Sequence, residues 1–369
     1  MRRWLIAARV AWPARHASLL GAPVGSWALL ALLLAGPALA AEPFSKLDRL
    51  PPVLPDVKVT GPSLLEARGA SGDVVPLDAG ALHAVDYVYL NGDYSNSNVV
   101  PSSGLLDNID AFVGLDGSKQ PQDFGINAQF GGRTSVNVGI PLWGSLGLQI
   151  GTAIDATADA VQVVQAIEGS AGRTQSFTTF GLFQRTESGF SWGVVYDYLY
   201  ENYYDEFTLG QWRVNLGYQL TERSTVGVWS AISDRSANGT FDFGAIDVTL
   251  VPITQTNLYW RYEWAGGINT TFWGGLCNGH GQVNAVLGDQ SYLRDTFVFG
   301  SELQVPLTDR LAIFGQGNFI MPSDSGTVDS YLGLVYYPGG GSRHAYRSAF
   351  KPFQTVAAPT NFAVDLRRR

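Results

Sequence analysis

The chain has 369 residues, 46% hydrophobic and 15% charged, with a formal net charge of −8. That is apolar material for one large domain or two small ones, and too much for a chain disordered throughout. The acidic balance argues against nucleic acid as a partner, and a single cysteine, Cys277, excludes an intrachain disulfide.

Met1 to Ala40 carries Arg2, Arg3, Arg9 and Arg15 and no acid, then the run WALLALLLAG, then Ala38-Leu39-Ala40 ahead of Ala41-Glu42. Basic, apolar and small residues in that order predict a secretory signal over residues 1–40, cleaved after Ala40. The apolar run falls short of the ~20 residues a spanning helix needs, and no later stretch reaches that length. Any membrane role must therefore use strands. Residues 41–60 are rich in proline and 61–107 hold no sustained period, which predicts a flexible, periplasmic N-terminal segment over 41–107.

From Asn108 onward, alternation predicts twelve strands: 109–116, 124–140, 145–155, 174–185, 189–201, 207–220, 224–233, 242–251, 256–264, 295–305, 310–320 and 327–337. In Gly210 to Leu220, for example, Trp212, Val214, Leu216, Tyr218 and Leu220 share one parity and Arg213, Asn215, Gly217 and Gln219 the other. One face is oily and the other wet. Several strands meet the ~9–11 residues needed to cross a bilayer at a tilt.

The connections alternate. PLWGS (141–145), TESG (186–189), LTER (220–223), PITQT (252–256) and PLTDR (306–310) are tight, whereas 156–173, 234–241 and above all 265–294 are longer. Short turns at one rim and long loops at the other are the rhythm of a membrane barrel. Aromatic residues gather at strand ends: Tyr198, Tyr200, Trp212, Tyr262, Trp264 and Phe297 are expected at the far rim, and Phe190, Trp192, Tyr218 and Tyr336 at the near one. Three features fit badly. Phe177, Phe180 and Phe183 change parity, Trp229 sits on the wet parity, and Phe314 opposes Ile313; large lumen-facing residues, bulges or misplaced boundaries each account for this. The expected fold is all-β, an antiparallel up-and-down transmembrane barrel of about twelve strands over 108–337, with a C-terminal tail over 338–369.

FGLFQRTESGFSWGVVYDYLYENYYDEFTLGQWRVNLGYQL, ISDR, FWGGLCNGHG, NFIMP, VYYPGG and AFKPFQTVAAPTNFAVD together resemble a family of uncharacterised outer-membrane-type β-barrels from planctomycete-like bacteria. The resemblance covers roughly residues 108 to 366. It implies a fold and a location, the outer membrane of a Gram-negative-type bacterium, and supplies no activity or catalytic residue.

The wet parity carries both charge signs, so the interior reads either as a hydrated passage or as a closed ion-pair network. Arg213, Arg261, Glu201, Glu263 and Glu302 are the candidates for setting selectivity if a pore exists. No nucleophile, zinc, P-loop or dinucleotide fingerprint appears, and no cofactor, metal site or catalytic residue is expected. His280 in NGHG reads as a solvated loop histidine. The acid-rich stretches 115–123 and 323–330 read as plain surface loops rather than Ca²⁺ sites. The tail beginning at PGGG (338–341) is expected in the periplasm or folded back into the lumen as a plug.

The expected function is a non-enzymatic outer-membrane barrel, a narrow porin-like channel for small polar solutes, with outer-membrane lipid as its partner. The alternatives are a structural or surface-binding barrel using the 265–294 loop, and a membrane-embedded hydrolase using His280. Oligomeric state is not legible in the sequence.

Overall fold

The computed structural model describes Val99 and residues 104–120, 128–160, 163–169, 172–241, 244–278, 296–321 and 327–368. The expected signal, almost all of the N-terminal segment and His280 lie outside the described residues. The strands, in chain order, are β1 (Ile109–Lys119), β2 (Gln129–Trp143), β3 (Leu146–Asp159), β4 (Gly172–Arg185) and β5 (Phe190–Asn202). Next come β6 (Glu206–Thr221), β7 (Ser224–Arg235), β8 (Ala237–Phe241), β9 (Ile246–Pro252) and β10 (Gln255–Glu263). The last are β11 (Asn269–Cys277), β12 (Thr296–Pro306), β13 (Leu311–Met321), β14 (Thr327–Tyr336) and β15 (Val364–Arg368).

Twelve of these form one closed antiparallel barrel, in which β10 follows β7 and β1 pairs with β14; β8, β9 and β15 form a separate three-stranded sheet. Closure runs from Ala111 opposite Tyr336 to Lys119 opposite Val328, so no barrel edge is left unpaired. Alternation decides the faces. In β5 and β6, Tyr196 lies opposite Trp212 and Val194 opposite Val214 on the outside, while Asp197 and Gln211 face inward as a pair. The outward band is apolar and open: Trp143 is 74% exposed and Leu258 72%, with Val113, Phe130, Leu216 and Leu332 also exposed. At ~1.5–3 kcal/mol per large side chain left in water, a band of this extent belongs against lipid rather than solvent.

The barrel count matches the expectation through two compensating differences. The segment expected as the eighth barrel strand, 242–251, falls on β9, which leaves the wall between β7 and β10 and pairs with β8 and β15. The missing wall strand is β11, inside the stretch read as one outer loop, 265–294; it pairs with β10 and β12. β9 alternates as cleanly as a wall strand because Val248 and Leu250 face a buried protein core, shared with wall residues such as Phe177 and Leu199. Because β9 is not in the wall, β10 runs toward the near rim, where Tyr262 lies opposite Ser224. Tyr262 and Trp264 are therefore near-rim residues and PITQT (252–256) a far-rim connection, the reverse of the expectation. Of the stretches 115–123 and 323–330, also read as surface loops, residues 115–119 lie in β1, which runs three residues past the expected strand 109–116, and 327–330 lie in β14, within the expected strand 327–337.

The misfits resolve as large inward residues. The pairing of β4 with β3 and β5 is unbroken, so no bulge carries Phe177 and Phe183, both fully buried, while Phe180 is 52% exposed on the outer face. Trp229 meets Trp273 edge-on at 6.1 Å. Phe314 packs inward with Phe112 and Tyr331.

Candidate functional site: the occupied lumen

What Phe177, Phe183 and Phe314 pack against is the C-terminal segment. After β14 the chain turns at Gly340 and Gly341, whose φ of 85° and 76° suit glycine, and enters the lumen at the near rim. It then climbs the wall. Lys351 Nζ donates to the carbonyls of Asp107 (2.7 Å) and Gly340 (2.9 Å). Arg185 Nη1 donates to Lys351 O at 2.7 Å, and Gln149 Oε1 accepts from Phe353 N and Gln354 N at 3.0 and 3.1 Å. Higher up, Arg213 Nη2 donates to Thr355 O (2.8 Å), Arg133 Nη2 to Ala357 O (2.7 Å) and Gln211 Nε2 to Asn361 O (2.9 Å). At the far rim Val364 N donates to Gln120 Oε1 at 3.3 Å, and β15 adds to the edge of β9.

Val356 through Leu366 are buried without exception. Val356, Ala357, Phe362, Val364 and Leu366, with Phe177, Leu199 and Leu209 of the wall and Phe241, Val248 and Leu250 of the small sheet, belong to the largest buried cluster described. Phe353 stacks on Phe183 at 6.5 Å, and Phe362 meets Phe177 edge-on at 6.0 Å. Gly139 is required by the close approach: a Cβ there would strike the carbonyl of Phe350. The remaining space among the described residues includes three pockets of about 80, 60 and 80 Å³, each room for a few waters.

The wall presents its charges in pairs that also hold the segment. Arg213 bonds both oxygens of Asp197, Nε–Oδ2 2.5 Å and Nη2–Oδ1 2.9 Å. Arg133 bonds Asp155 through Nη1 at 2.8 and 2.7 Å. A guanidinium that satisfies a buried carboxylate and a tail carbonyl at once makes wall and plug one network.

Of the five sequence candidates, all face inward, and they fall in three places. Arg261 and Glu302 meet at 3.8 Å near the near rim; the Arg261 guanidinium lies 3.9 Å over the Tyr346 ring, whose hydroxyl donates to Glu302 Oε1 at 2.7 Å. Glu263, close by, is paired with Arg347 of the segment. Arg213 stands in mid-wall with Asp197. Glu201 is fully buried toward the far mouth and accepts from Gln175 Nε2 at 2.5 Å. Arg133, though on the wet parity, and Asp155, Arg185, Tyr346, Arg347 and Lys351 are not among those five candidates; the basic and aromatic residues of HAYRSAFKPF, if not in the lumen, are expected from the sequence to touch cell wall or lipid headgroups. The available signal was charge: residues 338–363 contain Arg343, Arg347 and Lys351 and no acid, a basic segment beside an acidic lumen parity. His344, half-buried beside Arg347, is held below the ordinary histidine range by burial and then by that cation, so it adds no charge at neutral pH.

No group of three or more His, Cys, Asp or Glu side chains suited to a metal occurs among the described residues. Residues 108–364 match the model of a family of unknown function, DUF6666. The chain belongs to that family. Among curated proteins none matches it significantly in sequence. Three solved structures show what the DUF6666 barrel is similar to. An outer membrane channel from Pseudomonas putida F1 is 13% identical with a TM-score of 0.46, covering 66% of this chain and 98% of that one. Outer membrane phospholipase A from Escherichia coli is 12% identical with a TM-score of 0.35, over 62% and 95%. The KdgM porin is 7% identical with a TM-score of 0.34, over 61% and 98%.

Proposed function

We propose that this protein is a narrow, porin-like outer-membrane barrel for small polar solutes that its own C-terminal segment keeps shut. The observation that carries the reading is the path of that segment, which enters at the near rim, satisfies wall side chains all the way up and ends as a strand at the far rim. The outward apolar band supports outer-membrane lipid as its surroundings, with the short-turn rim toward the periplasm of a Gram-negative-type bacterium; the resemblance adds a planctomycete-like source. Under this reading Arg213, Arg261, Glu201, Glu263 and Glu302 act on passing solutes only after the segment has moved. The reading includes no catalytic activity and no cofactor.

The test is electrical. Purified full-length protein in planar bilayers gives a silent baseline, and discrete conductance steps appear when the segment is loosened by low urea while circular dichroism reports an intact barrel. An open baseline in the untreated protein refutes the plug, and silence throughout refutes the passage. A second reading, a structural or surface-binding barrel, is favoured by the three-stranded sheet that β8, β9 and β15 build over the far mouth. It requires that release of the segment never produce conductance.

A further inference from the structure

The plug and the wall differ in charge in a way that bears on what would pass. At the near rim, Asp110, Glu263 and Glu302 face inward against Arg185 and Arg261. In mid-wall, Asp116, Asp155 and Asp197 face Arg133 and Arg213. Toward the far rim, Asp159, Glu201 and Asp329 face Arg173. Carboxylates outnumber guanidiniums at every level. The C-terminal segment reverses the balance, since residues 338–363 bring Arg343, Arg347 and Lys351 and no carboxylate. Arg347 is seated on Glu263 of the wall, and Lys351 on the carbonyl of Asp107 just ahead of β1, on Gly340 O of the segment's own turn, and over the Tyr337 ring at 4.6 Å.

We infer that the lumen, once the segment leaves it, conducts cations in preference to anions. The inference rests on the passage proposed above and names its solute class. With the segment gone its positive charge goes too, and water replaces it. Carboxylates in a hydrated lumen are ionised at neutral pH, so the excess of acids at each level sets a negative potential along the whole path. A confined low-dielectric tunnel focuses that potential, concentrating cations and excluding anions. The segment acts as a tethered polycation occupying the place its mobile counterparts would take.

The full-length chain tests this in a planar bilayer under a tenfold KCl gradient. Two independent means loosen the segment: urea below the concentration that alters the barrel's circular dichroism, and the double variant Arg347→Glu/Lys351→Glu, which turns two attractions into repulsions. Cys277, buried beside Ala363, reports release through maleimide labelling. The expected result is that labelling and conductance appear together, with a reversal potential giving several-fold greater permeability to K⁺ than to Cl⁻. Glu263→Gln/Glu302→Gln in the released state lowers that ratio. Conductance with no ion preference, or with preference for Cl⁻, overturns the inference and leaves the passage standing. Labelling without conductance overturns the passage itself. A segment that neither treatment releases from a folded barrel is a permanent filling, and that outcome overturns both.

Discussion

Replacing Arg213 with Ala is the perturbation that bears hardest on the network holding wall and segment together. Arg213 is 4% exposed and its partner Asp197 fully buried. Truncation removes two charge-assisted bonds to Asp197 and one to Thr355 O. Asp197 keeps only neutral donors, Thr179 Oγ1 at 2.7 Å and Gln211 Nε2 at 3.0 Å. Removing one member of a buried pair costs ~3–5 kcal/mol because the other charge stays desolvated, and the orphaned Thr355 carbonyl adds ~1–3 kcal/mol. The lower end applies if water enters the vacated space, so the expectation is a loss of about 4 kcal/mol. Guanidinium unfolding of the vesicle-refolded barrel, followed by tryptophan fluorescence, measures it. The double variant Arg213→Met/Asp197→Leu should recover more than half of the loss, since no buried charge is left without its partner. An Arg213→Ala loss below ~1 kcal/mol would refute the reasoning, because it would mean that Asp197 is already hydrated and the lumen already wet at that level.

The other predictions probe the two faces separately. Val214→Arg, on the outward face beside Trp212, is expected to cost ~2–4 kcal/mol in bilayers, whereas Asn215→Arg, one residue on and inward, should cost less than half as much; the same two unfolding curves decide it. Phe362→Ala removes a ring that is 1% exposed and meets Phe177, and should cost the segment's docking ~3–5 kcal/mol. Hydrogen exchange is the measure: amides of 353–363 should lose protection while those of β5 and β6 keep it. Gly139→Val places a side chain against Phe350 O and should speed maleimide labelling of Cys277 without altering the circular dichroism of the barrel.

The wall was legible because period-two alternation survives wherever one face meets lipid and the other does not. Trp212, Val214 and Leu216 against Gln211, Arg213 and Asn215 is that signal at full strength, and the five candidates drawn from the wet parity do all face inward. Two kinds of information were missing. Alternation says that a strand has two environments and not which two, so β9, with Val248 and Leu250 turned to a protein core, read as wall. β11 was diluted by Thr270, Thr271 and the pair Gly274-Gly275, and read as loop. The C-terminal segment has no period because it is held through its backbone N–H and carbonyl groups, by side chains distant in sequence. Its traces lay elsewhere, in Phe177, Phe183, Trp229 and Phe314 on the wet parity. In a hydrated pore such rings would be exposed on the wrong side.

Barrel size explains why those rings are there. About eight strands enclose a space that wall side chains fill unaided, and about sixteen leave an aqueous channel. Twelve strands enclose more than their own side chains can fill and less than a wide pore. One extended chain with medium-sized side chains fits the difference. The segment supplies that volume, with Phe353 on Phe183 and Phe362 on Phe177, and wall glutamines, asparagines and arginines satisfy its backbone, since a polar group buried without a partner costs ~1–3 kcal/mol. An apolar wall would leave the segment's carbonyls unpaired, so the filling itself calls for polar side chains at these positions. This one keeps Arg133, Arg185, Arg213, Asp155 and Asp197 at its middle, groups that serve equally against a backbone and against water. Under the proposed reading, these groups pair with the segment's backbone while it is in place and with water once it leaves.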